Sequence, residues 1–178
     1  SLENLGEELR TFPVRKAVGD LDYTKLRHSS TPMTPEEIVC HISRKKSVAL
    51  TSAEDEIVIT ADTMVFLDDK RLGKPKDEED ALRMLTALQG RHHTVCTGVT
   101  VRQGDESITE CETTEVLFRT ADEAELRDYI ATGEPMDKAG AYGIQGGAAV
   151  FCTHLVGDYY NVMGLPVCRL ALILRELT

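Results

Sequence analysis

The run IVITADTMVFL at 57–67 constrains the fold most, because a single acid stands inside an otherwise apolar segment. Its halves, IVIT at 57–60 and MVFL at 64–67, have the β-branched and apolar composition that favours strands. We therefore expect one extended strand interrupted at 61–63, with Asp62 at the tip of its first half. A carboxylate buried at such a point costs free energy unless a partner or a ligand compensates for it.

Two interpretations of Asp62 fit this pattern. In the first, it is a turn or cap aspartate without a chemical role. In the second, it is a general base or a metal-bound carboxylate at the mouth of an α/β cleft, where sheets of this class bind ligands. The spacing alone leaves both open, so Asp62 is a candidate site residue.

Capping residues and apolar stripes predict four helices. Two begin with a capping-box pattern, in which Thr34 and Thr120 are the N-cap residues. A third follows Pro75 with an acidic first turn and ends at Gly90. The last spans about 167–177.

The extended segments at 94–101 and 108–118 predict a β-hairpin. Helices that alternate with strands indicate the α/β class, and the hairpin predicts that the sheet is mixed. A single domain over 1–178 is expected, since no low-complexity linker or repeat divides the chain.

The composition excludes several classes of protein. A net charge of −10 argues against non-specific nucleic-acid binding, which requires a basic surface. A nucleotide substrate stays open, because a few lysines or a metal ion can hold phosphates in an acidic protein. No segment approaches the about 20 apolar residues of a membrane span, and SLENLGEELRTF lacks the apolar core of a secretory leader. The five cysteines have no Cys-x-x-Cys spacing, which indicates reduced thiols in the cytoplasm rather than a zinc site.

Two lysines are further candidates. Lys74 lies in a Gly-Lys-Pro turn, which can present its charge to a phosphate, although a merely exposed lysine is commoner. Lys46 follows Arg44 and Lys45 on the first helix, so a solvated basic face is its default interpretation.

Gln145 is the fourth candidate. It lies in GAYGIQGG at 140–147, whose spacing matches neither the dinucleotide fingerprint nor the P-loop. Glycines in such a run commonly mark turns where backbone approaches backbone closely. The amide of Gln145 can in addition read the donor and acceptor edge of a base.

Five motifs, in this order, resemble those of the Maf family. They are Ala61-Asp62-Thr63, Gly73-Lys74-Pro75-Lys76-Asp77, Gly98-Val99, GEPMDKAGAYGIQG at 133–146, and GDYYNVMGLP at 157–166. The match covers about 57–178, whereas 1–56 match loosely.

Maf proteins, named for the inhibition of septum formation, are nucleoside triphosphate pyrophosphatases. The resemblance implies hydrolysis of a nucleoside triphosphate to the monophosphate and pyrophosphate, with Mg²⁺ or Mn²⁺ as cofactor. It implies a mixed α/β fold with two lobes around a cleft, similar to that of inosine triphosphatases. The charge, the apolar content and the cysteines predict a cytoplasmic protein that binds neither nucleic acid nor membranes, and a homodimer stays open.

The same resemblance suggests roles for the five candidates. Asp62 matches the family's proton acceptor and is the best candidate for a metal ligand. Thr63 and Gln145 match positions of the branch that acts on dTTP and UTP. Lys74 and Lys46 match lysines that line the phosphate site.

The start of the chain departs from the family pattern. The family begins with a strand and Ser-x-Ser-Pro-Arg-Arg, whose arginines hold the triphosphate, and this strand and phosphate loop are absent before Ser1. Either an unobserved segment precedes Ser1, or the form is truncated and is expected to be impaired. Tyr23 stands where the family often has a further glutamate.

Two alternative functions follow from these differences. A sister branch of the family prefers 7-methyl-GTP, although Thr63 and Gln145 argue against that branch. The other alternative is a non-catalytic regulator of cell division that binds nucleotides.

Overall fold

Five strands form one sheet in the part of the chain that the structure describes, residues 33–177 of a computed structural model. The strands are β1 (Ile57–Leu67), β2 (Lys70–Leu72), β3 (His92–Gln103), β4 (Glu106–Phe118) and β5 (Cys152–Val156). They lie in the order β2-β1-β3-β4-β5, and all four pairings are antiparallel.

Helices flank this sheet on both faces. They are α1 (Pro35–Val48), α2 (Glu78–Leu88), α3 (Glu123–Ala131), α4 (Tyr159–Met163) and α5 (Val167–Leu177), with short 3₁₀ turns at Glu134–Asp137, Ala139–Ala141 and Gly147–Val150. No helix among the described residues is both long and apolar enough to cross a membrane.

The α/β class with flanking helices is confirmed, but the mixed sheet is wrong for the described strands. Helix α2 connects β2 to β3, which run parallel to each other. Because β1 lies between them and is antiparallel to both, the helical crossover creates no parallel neighbours. The two lobes around a cleft, similar to inosine triphosphatases, stay a prediction.

Helix α1 covers one face of the sheet, and Gly98 explains how closely it packs. A Cβ at Gly98 would lie 2.4 Å from the carbonyl oxygen of Val39, so only glycine lets the helix backbone approach β3. Val39 and Ile42 are fully buried there, against Met64 and other apolar side chains of the same face.

The opposite face carries two separate hydrophobic clusters. At one end, Val65 and Val95 pack under α2 and α3 with Phe118. At the other end, Val99 and Val101 pack under α5. Residues with short polar side chains lie between the two clusters, and α4 packs against them.

Several predicted elements are confirmed. Thr34 caps α1 in a capping box with Glu37, and α5 and the β3–β4 hairpin lie where the sequence predicts them. The prediction of Thr120 as the N-cap of α3 is wrong. The N-cap is Asp122, whose side chain accepts a hydrogen bond from the backbone N–H of Glu125. The sequence interpretation missed β2, β5 and α4, which are all short. The predictions for 1–32, including Tyr23, lie outside the described residues.

Candidate active site

Asp62 lies in the middle of β1, so its predicted position at a strand tip is wrong. The strand continues unbroken for eleven residues, and Asp62 pairs with Gly98 of β3. The uninterrupted ladder holds the backbone extended even at the acid, because cross-strand hydrogen bonds outweigh the weak strand propensity of aspartate. Asp62 is therefore neither a turn nor a cap residue, and its side chain is only 12% exposed.

Lys46 reaches Asp62 from α1. Residues 39, 43 and 46 lie on one helix face, because positions three and four apart are neighbours on a helix. Contact of Val39 with Gly98 therefore places Lys46 two turns further along, over β1. Its ammonium donates to Asp62 Oδ1 at 2.7 Å and to the carbonyl oxygen of Ala61 at 2.9 Å. The default interpretation of Lys46 as part of a solvated face is wrong, although Arg44 and Lys45 are exposed.

Opposing effects act on the Asp62 carboxyl. Burial raises its pKa above the ordinary value of an aspartate. The hydrogen bond and charge of Lys46, and then the charge of Arg71, lower the pKa but do not fully offset the effect of burial. Lys46 is thus the principal group that opposes the effect of burial on the pKa of Asp62.

The second carboxylate oxygen, Asp62 Oδ2, is buried and has no hydrogen-bond partner among the described residues. A buried acceptor without a donor is costly, so such an atom commonly marks a site for water or an ion. An oxygen ligand suits Mg²⁺ or Mn²⁺, and Mg²⁺ is often bound by one or two carboxylates plus substrate phosphates. Among the described residues no group of three or more His, Cys, Asp or Glu side chains could hold a metal ion. Asp62 fits a metal that is shared with a phosphate ligand, and not one held by the described residues alone.

Thr63 faces the opposite side of the sheet from Asp62, because successive side chains of a strand alternate. Its hydroxyl is 2.8 Å from the hydroxyl of Thr97 on β3 and donates to the carbonyl oxygen of Gly164 at 3.3 Å. Gly164 ends α4 in a left-handed conformation, with φ 117°. Thr63 therefore contacts the segment that follows α4.

Gln145 approaches the same segment from the glycine-rich loop. Its amide Nε2 donates to Met163 Sδ at 3.4 Å. Thr63 and Gln145 thus contact adjacent residues, Gly164 and Met163. The two predicted specificity positions are brought together by way of α4, on the face opposite Asp62.

The glycine-rich loop at 143–147 wraps around Glu134, whose role sequence reasoning missed. The carboxylate of Glu134 accepts from Tyr129 Oη at 2.7 Å and from the backbone N–H of Gly147 at 3.1 Å. A Cβ at Gly146 would lie 2.3 Å from both carboxylate oxygens, so the loop closes over the acid only with glycine there. The glycine-rich run at 143–147, which begins nine residues after Glu134, was the available signal for this arrangement.

Asn161 fixes α4 to the sheet and was also missed. It is fully buried, and its amide donates to the carbonyl oxygen of Val95 at 3.1 Å and to Thr114 Oγ1 at 3.0 Å. The preceding Asp158 caps α4 by accepting from the N–H groups of Tyr160 and Asn161. Most of the motif at 157–166 is therefore structural, and it places residues 163–164 beside Thr63 and Gln145.

Lys74 stands apart from the other candidates. It is exposed, and it forms no hydrogen bond or ion pair with the other four within the described residues. The hydrogen bond from Lys138 lowers the pKa of Asp137, and the nearby charge of Lys74 contributes a smaller part. The backbone of its turn is fixed, because the N–H of Gly140 donates to the carbonyl oxygen of Gly73 at 3.0 Å.

Comparison with known proteins shows the family of the chain. The family model described as Maf-like protein matches residues 2–177. A dTTP/UTP pyrophosphatase of Bacillus cytotoxicus is 43% identical over 170 residues, which cover 95% of this chain and 87% of the relative. Proteins of the same name from Bacillus velezensis and Clostridium botulinum are 47% and 49% identical, over 81% and 79% of this chain and 77% of each relative. With this agreement along nearly its whole length, the chain belongs to the Maf family.

Proposed function

We propose that this chain is a nucleoside triphosphate pyrophosphatase that hydrolyses dTTP and UTP to the monophosphate and pyrophosphate. The observation that carries the proposal is the buried carboxylate of Asp62, which is bonded to Lys46 through one oxygen and has no partner for the other oxygen within residues 33–177. Buried acids with a specific charged partner are typical of functional sites. Relatives named dTTP/UTP pyrophosphatase over most of the chain support the same activity.

The substrate would extend across β1. Asp62 and Lys46 lie on the α1 side of this strand, whereas Thr63 and the loop of Gln145 lie on the α4 side. Strand β2 pairs with β1 only at residues 65–67, and no described strand pairs with the same edge over 57–64. A ligand that crosses this edge can place its phosphates near Asp62 and its base near Gln145.

Asp62 would accept the proton of the attacking water through its unpaired oxygen. Lys46 holds the other oxygen and favours the charged carboxylate, the form that a general base requires. As water adds to the α-phosphorus, the bond to the bridging oxygen breaks and pyrophosphate leaves. Lys46 and Lys74 add positive charge that can offset the charge of the phosphates. A bound Mg²⁺ or Mn²⁺, with Asp62 as its protein ligand, would supply further charge neutralisation.

Base preference would depend on Gln145 and Thr63. The Gln145 amide has a donor and an acceptor, which suit the alternating carbonyl and N–H edge shared by thymine and uracil. Its contact in the structure is to a thioether, a weak acceptor that a base carbonyl can replace. Guanine also has a carbonyl beside an N–H, so the preference for dTTP and UTP over 7-methyl-GTP is supported by the relatives named dTTP/UTP pyrophosphatase.

The test is pyrophosphate release from dTTP and UTP by wild type and by Asp62→Asn. The amide keeps the shape of the side chain but cannot accept the proton, so we expect a loss of about 100-fold or more. Asp128→Asn changes an exposed aspartate of α3 and is the matched control. Full activity of Asp62→Asn would refute the assignment.

The same assay separates the alternatives. Faster turnover of 7-methyl-GTP than of dTTP and UTP would place the chain in the sister branch. Calorimetric binding of nucleotides without any pyrophosphate release would indicate a regulator instead.

All five cysteines are free, which supports the proposal that the protein acts in the reducing cytoplasm.

A further inference from the structure

Three cysteines that are far apart in the sequence meet under α1. Cys96 of β3 and Cys111 of β4 share one face of the sheet, and their sulfurs lie 3.7 and 3.9 Å from Thr113 Oγ1. Cys40 of α1 lies above them, and the side chain of Cys111 is the largest cause of the raised pKa of its thiol, before burial. The proposed hydrolysis uses none of these thiols.

The strand register indicates which two thiols can be linked. Cys96 pairs with Thr113, so Cys111 is its diagonal neighbour, and such neighbours lie about 7–8 Å apart, too far for a disulfide. Cys111 lies directly opposite Gly98, and a Cβ at Gly98 would be 2.6 Å from the backbone nitrogen of Cys40. Cys40 and Cys111 are therefore the pair that the geometry favours.

A bond between Cys40 and Cys111 would act on the candidate active site. Asp62, Gly98 and Cys111 form one row across β1, β3 and β4, and α1 lies over all three strands. Disulfide sulfurs are only about 2.05 Å apart, so bond formation draws α1 toward β4. We expect this movement to take Lys46, on the same helix, away from Asp62 on β1.

We propose that Cys40 and Cys111 are an oxidation site at which a disulfide displaces α1 and lowers the pyrophosphatase activity. With hydrogen peroxide as oxidant, one thiolate attacks a peroxide oxygen and the O–O bond breaks. The products are a sulfenic acid and one water molecule. The second thiol then attacks that sulfur, so the S–S bond forms and the S–O bond breaks with release of another water. Two thiols lose two electrons in total, and one peroxide is reduced to two waters. The effect on activity rests on the function proposed above.

The oxidation is expected to be faster at alkaline pH. The interaction with Cys40 lowers the pKa of Cys111. The hydrogen bond to Cys96 and burial together have a larger, opposite effect, so the pKa is raised to about 11. Few thiolates are therefore present at neutral pH, and the thiolate is the reacting form. The site would respond to sustained oxidation rather than to brief exposure.

The experiment uses the full chain with Cys168→Ser, which removes an exposed thiol that could cross-link two molecules. The protein is treated with hydrogen peroxide at pH 8.5, digested without reductant, and mapped by mass spectrometry. We expect a linked peptide that joins Cys40 to Cys111, and a fall of about tenfold or more in dTTP hydrolysis. Dithiothreitol should reverse both changes. Cys96→Ser should still form the Cys40–Cys111 peptide and lose activity, whereas Cys111→Ser and Cys40→Ser should resist inactivation.

Three results would overturn the inference. These are the absence of the linked peptide, an unchanged activity in the linked protein, and an equal loss of activity in Cys111→Ser and its parent. If the reduced chain shows no turnover, the proposed function fails, and the coupling to activity fails with it. Peptide mapping does not require enzymatic turnover, so it tests the oxidation site independently of the proposed function.

Discussion

At the scale of single residues, the site depends on a competition at Asp62 between burial and positive charge. Burial favours the protonated acid, and the hydrogen bond from Lys46 favours the carboxylate. Burial has the larger effect, so the pKa of Asp62 is raised. Activity that requires the carboxylate must therefore decline on the acid side at a higher pH than an ordinary aspartate would cause.

Lys46→Met tests this balance. Methionine keeps the apolar stem and removes the charge, so burial acts on Asp62 with less opposition and its pKa rises further. Because only the ionised form accepts a proton, we expect the acid limb of the kcat/KM profile for dTTP to move to higher pH. Activity at neutral pH should fall by about tenfold or more.

Lys45→Met is the control for that change, because Lys45 is the exposed neighbour on α1. It should leave the acid limb unchanged. An unaltered acid limb in Lys46→Met would mean that Asp62 does not titrate as the catalytic base.

At the scale of elements, the close contact of α1 with β3 positions Lys46. The contact depends on Gly98, where backbone atoms of Val39 and Cys40 occupy the space that a side chain would need. These backbone atoms of α1 cannot change position independently of the helix, as the end of a flexible side chain can. A single methyl group at this position must therefore move the helix.

Gly98→Ala should accordingly destabilise the protein and reduce its activity together. Overpacking of this kind typically costs about 1–3 kcal/mol, which urea denaturation would measure. Gly73→Ala is the matched control for stability, because a Cβ there would have no neighbour within 4 Å. Equal stability of the two variants would show that α1 is not held by this contact.

Local features of this fold could be predicted from the sequence, and tertiary ones could not. The Thr34 capping box and α5 depend on residues within one or two turns, so their patterns are visible in the chain. The position of Asp62 depends on pairing with Gly98, 36 residues later, and its local sequence resembles a strand end. The partner role of Lys46 depends on how α1 docks, which periodicity does not reveal. The resemblance to a family identified the candidates, and their contacts came from the structure.

At the scale of the whole molecule, the core contains a polar pair that links overall stability to pH. His93 is 3% exposed, and its Nε2 lies 2.6 Å from the hydroxyl of Tyr142. Both rings pack edge-on against Phe118, in the cluster under α2 and α3. Burial, and to a lesser degree the nearby His92, lowers the pKa of His93 from 6.5 to about 4.

The lowered pKa predicts acid destabilisation. Between pH 6.5 and about 4 the unfolded chain binds a proton at His93 and the folded chain does not, so stability falls as the pH falls through this window. One pKa unit corresponds to 1.36 kcal/mol, so the full loss is roughly 3 kcal/mol below pH 4. Denaturation at a series of pH values should show it. His93→Gln can still bond to Tyr142 but does not titrate, so its unfolding free energy should vary less with pH than that of wild type. His92→Gln changes the exposed neighbour and should keep the wild-type dependence of unfolding free energy on pH. Identical curves of unfolding free energy against pH for His93→Gln and wild type would exclude His93 as the group that links this core to pH.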